Sequence, residues 1–289
     1  MRRLLIFLLL AMTASMYAQQ YGLNNFYYYR QMLFNPSATA LDEGITGFVD
    51  YRDQWTGYKN APETGWAGVQ AKIGHAGLGL SALYERAGVF RTFGLYGASA
   101  YQVDLKRDLK LSLGANLAIN QNILNMADVE NADLDDPALN SNKFFETILQ
   151  AGAGVSLSSA QFTLSLSAPD VYSTVTNKFL QDVFVFGAYQ IGKENFYKHS
   201  YVKPFVLVHY SWPQTYLVDI GSEVKFNQTL RVMTFFRSSL SAVFSLMVRV
   251  NAFYIGYAYE ANLGYSQYLG LSSHQITVAF NDPLFFKNY

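Results

Sequence analysis

Residues 109–120 read LKLSLGANLAIN. Leu111, Leu113, Ala115, Leu117 and Ile119 occupy alternate positions, and Ser112, Gly114, Asn116 and Asn120 fall between them. Successive side chains of a strand point to opposite faces, so this stretch is a strand with one apolar and one polar side. The same period returns in QFTLSLS (161–167), where Phe162, Leu164 and Leu166 oppose Thr163, Ser165 and Ser167. It returns again in LGLSALYE (78–85), with Leu78, Leu80, Ala82 and Tyr84 opposite Gly79, Ser81 and Glu85.

Alternation alone fits a soluble β-sandwich or a membrane barrel, and two features favour the barrel. Apolar faces end in aromatics, as with Phe253, Ile255, Tyr257 and Tyr259, and barrels place aromatic girdles where lipid meets water. The opposite faces carry Gly, Ser, Asn, Glu and Arg, which suits a lumen. In TLRVMTFFR, Leu230, Val232, Thr234 and Phe236 would face lipid while Arg231 and Arg237 point inward. The pattern predicts an all-β fold, a transmembrane antiparallel β-barrel of about 14 strands of the outer-membrane type. The strands are expected at 44–53, 63–74, 76–87, 90–104, 108–124, 145–158, 160–168, 181–192, 201–210, 215–227, 229–238, 240–250, 252–260 and 272–281. An even strand number would leave both termini at the periplasmic end. The connections 124–144 and 169–180 would then be external.

Bulk properties agree. Of 289 residues only 15% are charged, against roughly 25% in soluble domains, and 16% are aromatic. Formal net charge is zero, so no nucleic-acid partner is expected. With no cysteine, disulfides, cysteine-ligated zinc or iron–sulfur centres and a lipoprotein anchor are excluded. No run of 18 apolar residues suggests a spanning helix. The opening MRRLLIFLLLAMTASMYAQQ has Arg2 and Arg3, an apolar stretch from Leu4 to Met12 and a small-residue exit from Ser15 to Ala18. It reads as a secretory signal peptide over 1–18 with cleavage after Ala18. Residues 19–289 then form one outer-membrane barrel domain with a short N-terminal segment, in contact with outer-membrane lipid.

Chemistry is sparse. The acidic stretch DVENADLDD within 124–144 invites a calcium reading but lacks the glycine and terminal glutamate of a cation loop, and reads as a solvated loop. His75, His199, His209 and His274 show no metal-ligand spacing. Ser272 and His274 share a face, but about 7 Å separates alternate positions along a strand, too far for a hydrolase dyad. No phosphate loop, dinucleotide fingerprint or nucleophile elbow occurs, so no catalytic residue, cofactor or metal is expected.

The one dense patch is YRDQWTGYKNAPET, residues 51–64. Asp53 and Glu63 would form a glycosidase pair only if the fold joined them, and Tyr51, Trp55 and Tyr58 could stack on a sugar. The plainer reading is an aromatic rim on the first hairpin, with Arg52 and Asp53 paired at the water boundary.

This patch, after MLFNPSATALDEG, resembles the N-terminal signature of the PorP/SprF family of type IX secretion system membrane proteins. The matching positions are Asn35, Pro36, Ala38, Tyr51, Arg52, Gln54, Trp55, Gly57, Ala61, Pro62 and Thr64. The segments GLGLSALYERAG, LYGASAYQVDL and IGYAYEANLGYSQYLGLSSHQITVAF resemble later blocks, carrying the likeness from about residue 31 to 280. In the closing block Ser272, Ser273, His274 and Gln275 stand where the family usually has GSHE, and a tail NDPLFFKNY follows. The resemblance implies a non-enzymatic integral protein of the outer membrane of a Bacteroidota-type bacterium, serving type IX secretion and gliding motility. It implies partners of two kinds. One is the export apparatus, with its motor-ring proteins and a peptidoglycan-tethering periplasmic lipoprotein. The other is a secreted adhesin held at the cell surface by its C-terminal domain. On this reading Tyr51, Arg52, Gln54, Trp55 and Tyr58 are candidate partner-binding residues at the outer end of the first hairpin, because Trp, Tyr and Arg are the usual interface anchors. Equally, Arg52, Gln54 and Trp55 could fold inward and plug the lumen. The rivals are a passive porin or solute channel, an outer-membrane hydrolase and a secreted β-sandwich lectin.

Overall fold

The alternating stretches become strands at nearly the expected positions. A computed structural model describes residues 23–106, 108–124, 145–174, 180–192, 200–212, 215–227, 229–264 and 272–282. The strands are β1 (Gly44–Asp53), β2 (Glu63–Ile73), β3 (Ala76–Ala87), β4 (Phe90–Lys106), β5 (Leu109–Leu124), β6 (Phe145–Ser158) and β7 (Phe162–Ser173). They continue as β8 (Asp182–Tyr189), β9 (Tyr201–Ser211), β10 (Thr215–Phe226), β11 (Leu230–Arg237), β12 (Ser241–Val250), β13 (Phe253–Asn262) and β14 (Ser272–Asp282). Each pairs antiparallel with its sequence neighbours, and β1 closes on β14, with Ile45 opposite Asp282 and Asp53 opposite His274. Closure leaves no sheet edge, which is what lets strands cross a lipid bilayer.

The apolar face points outward on every strand quoted above. Leu78, Leu80, Leu117 and Ile220 are each more than 60% exposed, which only acyl chains can cover. Tight turns at 74–75, 251–252 and 227–229 use positive φ at Gly74, Asn227 and Asn251. They lie at one end of the barrel, the end where β1 starts and β14 finishes; the ends of β5, β7 and β13, which precede three of the longest separations between strands, lie at the other, which is therefore the outer end.

Many boundaries shift by one to three residues, and the largest change is at β7. β7 runs through Pro169 to Ser173 rather than stopping at 168. Proline cannot donate to a ladder, and it is accommodated here in a bulge where the β6 register shifts between Ala151 and Ala153. The Pro169 carbonyl accepts from Asn116 Nδ2 at 2.8 Å, and Asp170 Oδ1 accepts from the Asp182 N–H at 3.0 Å.

The larger departure concerns the lumen. Eight strands make a barrel that side chains fill and sixteen leave an aqueous channel, so a fourteen-stranded barrel is wide enough to admit additional chain inside. Residues 23–43 supply it. They form three single turns of 3-10 helix, Tyr27–Tyr29, Gln31–Leu33 and Pro36–Ala40, packed within the barrel. Phe26, Asn25, Asn35, Ser37 and Ala40 have no exposed surface. The strands begin and end at the periplasmic end, as expected. The described chain does not: the Leu23 carbonyl accepts from Arg52 Nη1 near the outer end of β1, and the segment then descends the lumen to reach Gly44.

Candidate functional site

Two surfaces of the inserted segment hold it. On one side Tyr27, Tyr28 and Phe34 meet Phe184, Phe186, Phe205 and Phe235 from β8, β9 and β11. Ring centroids lie 5.5 Å apart for Tyr27–Phe235, 4.9 Å for Tyr28–Phe205 and 5.3 Å for Phe34–Phe184. Tilted and edge-on rings at these separations are the favoured aromatic geometries. On the other side the contact is by backbone. Asn35 caps the last turn, its Oδ1 accepting from the Ser37 N–H, while Pro36 sits at the first helical position, where no donor is needed. Asn35 Nδ2 then donates to Ser156 Oγ at 2.9 Å. The wall opposite is glycine because the backbones nearly touch: a Cβ on Gly114 would lie 2.4 Å from the Ser37 nitrogen, and one on Gly77 would lie 2.3 Å from the Thr39 oxygen.

Above these contacts runs a buried ionic chain. Arg52 Nη2 meets Glu260 Oε2 at 2.7 Å, Glu260 Oε1 accepts from Arg237 Nη1 at 3.2 Å, and Arg237 forks onto Asp219 at 3.0 Å through both Nε and Nη2. Two guanidiniums and two carboxylates balance, and Ser241 Oγ and Asn25 Nδ2 add hydrogen bonds to Glu260. Such a chain is tolerable in a low-dielectric interior only because each charge is matched. Alongside it Asp50 accepts from Asn24 Nδ2 at 2.7 Å and faces Arg30, whose guanidinium lies 4.5 Å from the Phe48 ring centre. Lower down, Glu223 accepts from the Tyr29 and Tyr201 hydroxyls at 3.0 and 3.2 Å.

The five candidate residues of the first hairpin divide between four environments. Arg52 and Gln54 are buried, Tyr51 is exposed on the outer face of β1, and Tyr58 is exposed in the loop. Trp55 is half-buried at the rim, with φ +54°, a conformation costly for a bulky side chain. Two bonds to β14 hold it there: its N–H donates to Ser273 Oγ at 3.1 Å, and the Thr56 N–H donates to the Ser272 carbonyl at 2.9 Å. Arg52 and Asp53 do not pair, because neighbours along a strand face opposite ways: Arg52 enters the lumen and Asp53 accepts from Thr56 Oγ1. Asp53 and Glu63 are brought together as register partners, but Glu63 is held by Arg86 at 2.6 Å.

The expected separation of Ser272 and His274 was too large. Ser272 Oγ lies 3.1 Å from His274 Nε2, and His274 Nδ1 meets the Tyr257 hydroxyl at 2.5 Å. The imidazole reaches along the strand and closes the gap. The group faces outward beside Tyr259 in the aromatic girdle. His209 bonds Asp182 at 2.6 Å and stacks on Phe184, and His75 packs near Tyr101. His199, the acidic stretch of 125–144 and the signal-peptide residues lie outside the described residues.

A family model described as type IX secretion system membrane protein PorP/SprF matches residues 16–280. The chain belongs to the PorP/SprF family. It is an outer-membrane β-barrel of the type IX secretion system. No curated protein sequence matches it. Among solved structures, Omp33 of Acinetobacter baumannii superposes with a TM-score of 0.50 at 10% identity, covering 84% of this chain and all of that one. CdiB from Acinetobacter baumannii gives 0.48 at 10% identity, covering 82% of this chain and 60% of its own, and KdgM porin gives 0.42 at 6%, covering 82% and 99%. At 10% identity the likeness to Omp33 is one of fold. Within this PorP/SprF chain the signature residues Asn35 and Pro36 have a physical task, capping the turn that seats the inserted segment against β6. Two features of the chain mark that segment: its NNFYYYR run lacks alternation, and Phe184 and Phe186 point inward.

Proposed function

We propose that this barrel is a non-enzymatic docking platform of the type IX system. It holds a secreted adhesin by its C-terminal domain, or another component of the system, at the cell surface. The supporting observation is the occupied lumen: residues 23–43 are packed inside by an aromatic cluster and a matched ionic chain. A barrel so filled offers its ends rather than its interior to a partner. At the outer end Trp55 and Tyr58 are the accessible members of the candidate set, with Tyr51 on the adjoining face. Buried Arg52 and Gln54 shape the hairpin from beneath. Trp55 is held in a strained backbone conformation by β14, as expected of a residue whose placement matters. The periplasmic turns are the corresponding surface for the motor ring and the peptidoglycan-tethering lipoprotein.

Replacing Trp55 and Tyr58 together with alanine tests the reading. Surface retention of the adhesin should fall at least tenfold while the barrel inserts normally, since truncating interface aromatics costs about 2 kcal/mol or more. Unchanged retention with a folded barrel would refute rim docking. The competing passive porin needs a water-filled path, and the packing of Tyr27, Tyr28 and Phe34 weighs against it.

A further inference from the structure

The inserted segment fills the lumen unevenly. In the outer half of the barrel it packs against the rings of β8, β9 and β11, but towards β3–β7 a cavity of about 430 Å³ remains. That volume lies within the range of small-ligand sites. Phe34 and Leu33 floor it, and Asn120, Asn122 and Gln150 line its taller wall. These side chains are half-exposed and already oriented. Asn120 Nδ2 donates to Gln150 Oε1 at 2.6 Å, and Thr92 Oγ1 donates to Asn122 Oδ1 at 3.0 Å. A carboxamide has two donor hydrogens and two acceptor lone pairs, so these bonds leave the Asn122 and Gln150 amino groups and the Asn120 oxygen for a ligand.

The character of the lining narrows the ligand. Among the described residues its lining holds two carboxyl groups, Glu85 and Asp170, and no basic side chain, which disfavours an anion. A sugar would need an open ring face on which to stack. Tyr27 is clasped by Phe34, Phe205 and Phe235 and Trp66 is buried, which leaves the half-buried Tyr96 as the ring nearest to meeting that need, against three carboxamides that suit a peptide. The peptide group is itself an amide, with a donor and an acceptor set as in the lining carboxamides. We propose that this cavity binds an extended peptide carrying a basic side chain. Its backbone pairs with Asn120, Asn122 and Gln150, its basic group meets Glu85, and an apolar side chain rests on Leu33 and Phe34. The proposal rests on the reading that the outer mouth receives an exported polypeptide, and it adds a site apart from the Trp55 rim.

The test uses the purified full-length protein in detergent and fluorescein-labelled capped heptapeptides of Gly, Ser and Leu with one central Lys, or Glu in its place. Fluorescence anisotropy should show saturable binding of the Lys peptide and at least about tenfold weaker binding of the Glu peptide. Glu85→Gln and Asn122→Leu should each weaken the Lys peptide by about tenfold, with folding checked by heat-modifiable mobility. If either variant fails to fold, the comparison of the two peptides on the unaltered protein still decides. Absence of saturable binding, equal affinity for both peptides, or displacement of the Lys peptide by maltoheptaose would overturn the proposal. The assay needs no secretion partner, so its failure leaves adhesin retention through Trp55 and Tyr58 to be judged by its own experiment.

Discussion

Arg52 and Glu260 stand 208 positions apart in the chain and meet at 2.7 Å inside the barrel. The bond joins β1 to β13 through the lumen, and Arg52 Nη1 also donates to the Leu23 carbonyl, so the same guanidinium fastens the wall to the inserted segment. Removing one partner of such a pair strands a buried charge. Arg52→Ala or Glu260→Gln should each lower unfolding stability by about 3–5 kcal/mol. The joint replacement Arg52→Met with Glu260→Leu should recover part of that loss, although Arg237 keeps only Asp219 as a counter-ion. Thermal unfolding in detergent, followed by heat-modifiable mobility, checks the order of the variants.

Gly114 faces the Ser37 backbone with no room for a Cβ. Gly114→Val should push the N-terminal segment out of place without preventing barrel closure, because the outward neighbours that meet lipid are unchanged. The expected result is a new ion conductance in planar bilayers. Ala115→Val, which points to lipid, should remain silent.

Ser37 Oγ and Ser156 Oγ lie 2.6 Å apart. Since the chain has no cysteine, Ser37→Cys with Ser156→Cys introduces the only thiols. Their side chains are already in contact, as a disulfide requires. Oxidation should form the bond in the folded protein and abolish maleimide labelling of both positions. Persistent labelling of both thiols would place the segment elsewhere.

Tyr27 packs against three phenylalanine rings within the lumen. Tyr27→Ala removes that contact and should cost about 3–5 kcal/mol, the range for large aromatic truncations in a core. Denaturant unfolding in detergent should show it, while outward Tyr257→Ala should have a smaller effect.

Much of the wall was legible in the residues. Strict alternation in stretches such as 109–120 locates the strands and assigns lipid and lumen faces, since a one-residue slip would turn every side chain over. β7 escaped because Pro169 looks like a strand end, and only the bulge opposite Ala151 and Ala153 shows how it is carried. The filled lumen was harder to read. Residues 23–43 have no periodicity, and their partners, Asp50, Ser156, Glu223, Glu260 and Gln275, are scattered along the chain. The hairpin patch was visible as a composition, but its division between inside and outside follows from where β1 ends and how β14 holds Trp55. The Ser272–His274 contact was missed because backbone spacing says nothing of how far an imidazole reaches along a strand.

The account depends most on the barrel being closed by its own N-terminal segment. Conductance of the purified, unaltered protein in a planar lipid bilayer tests this most directly. The packed lumen predicts insertion with no steady ion current above the bare membrane. A stable open channel of ordinary porin size would contradict it.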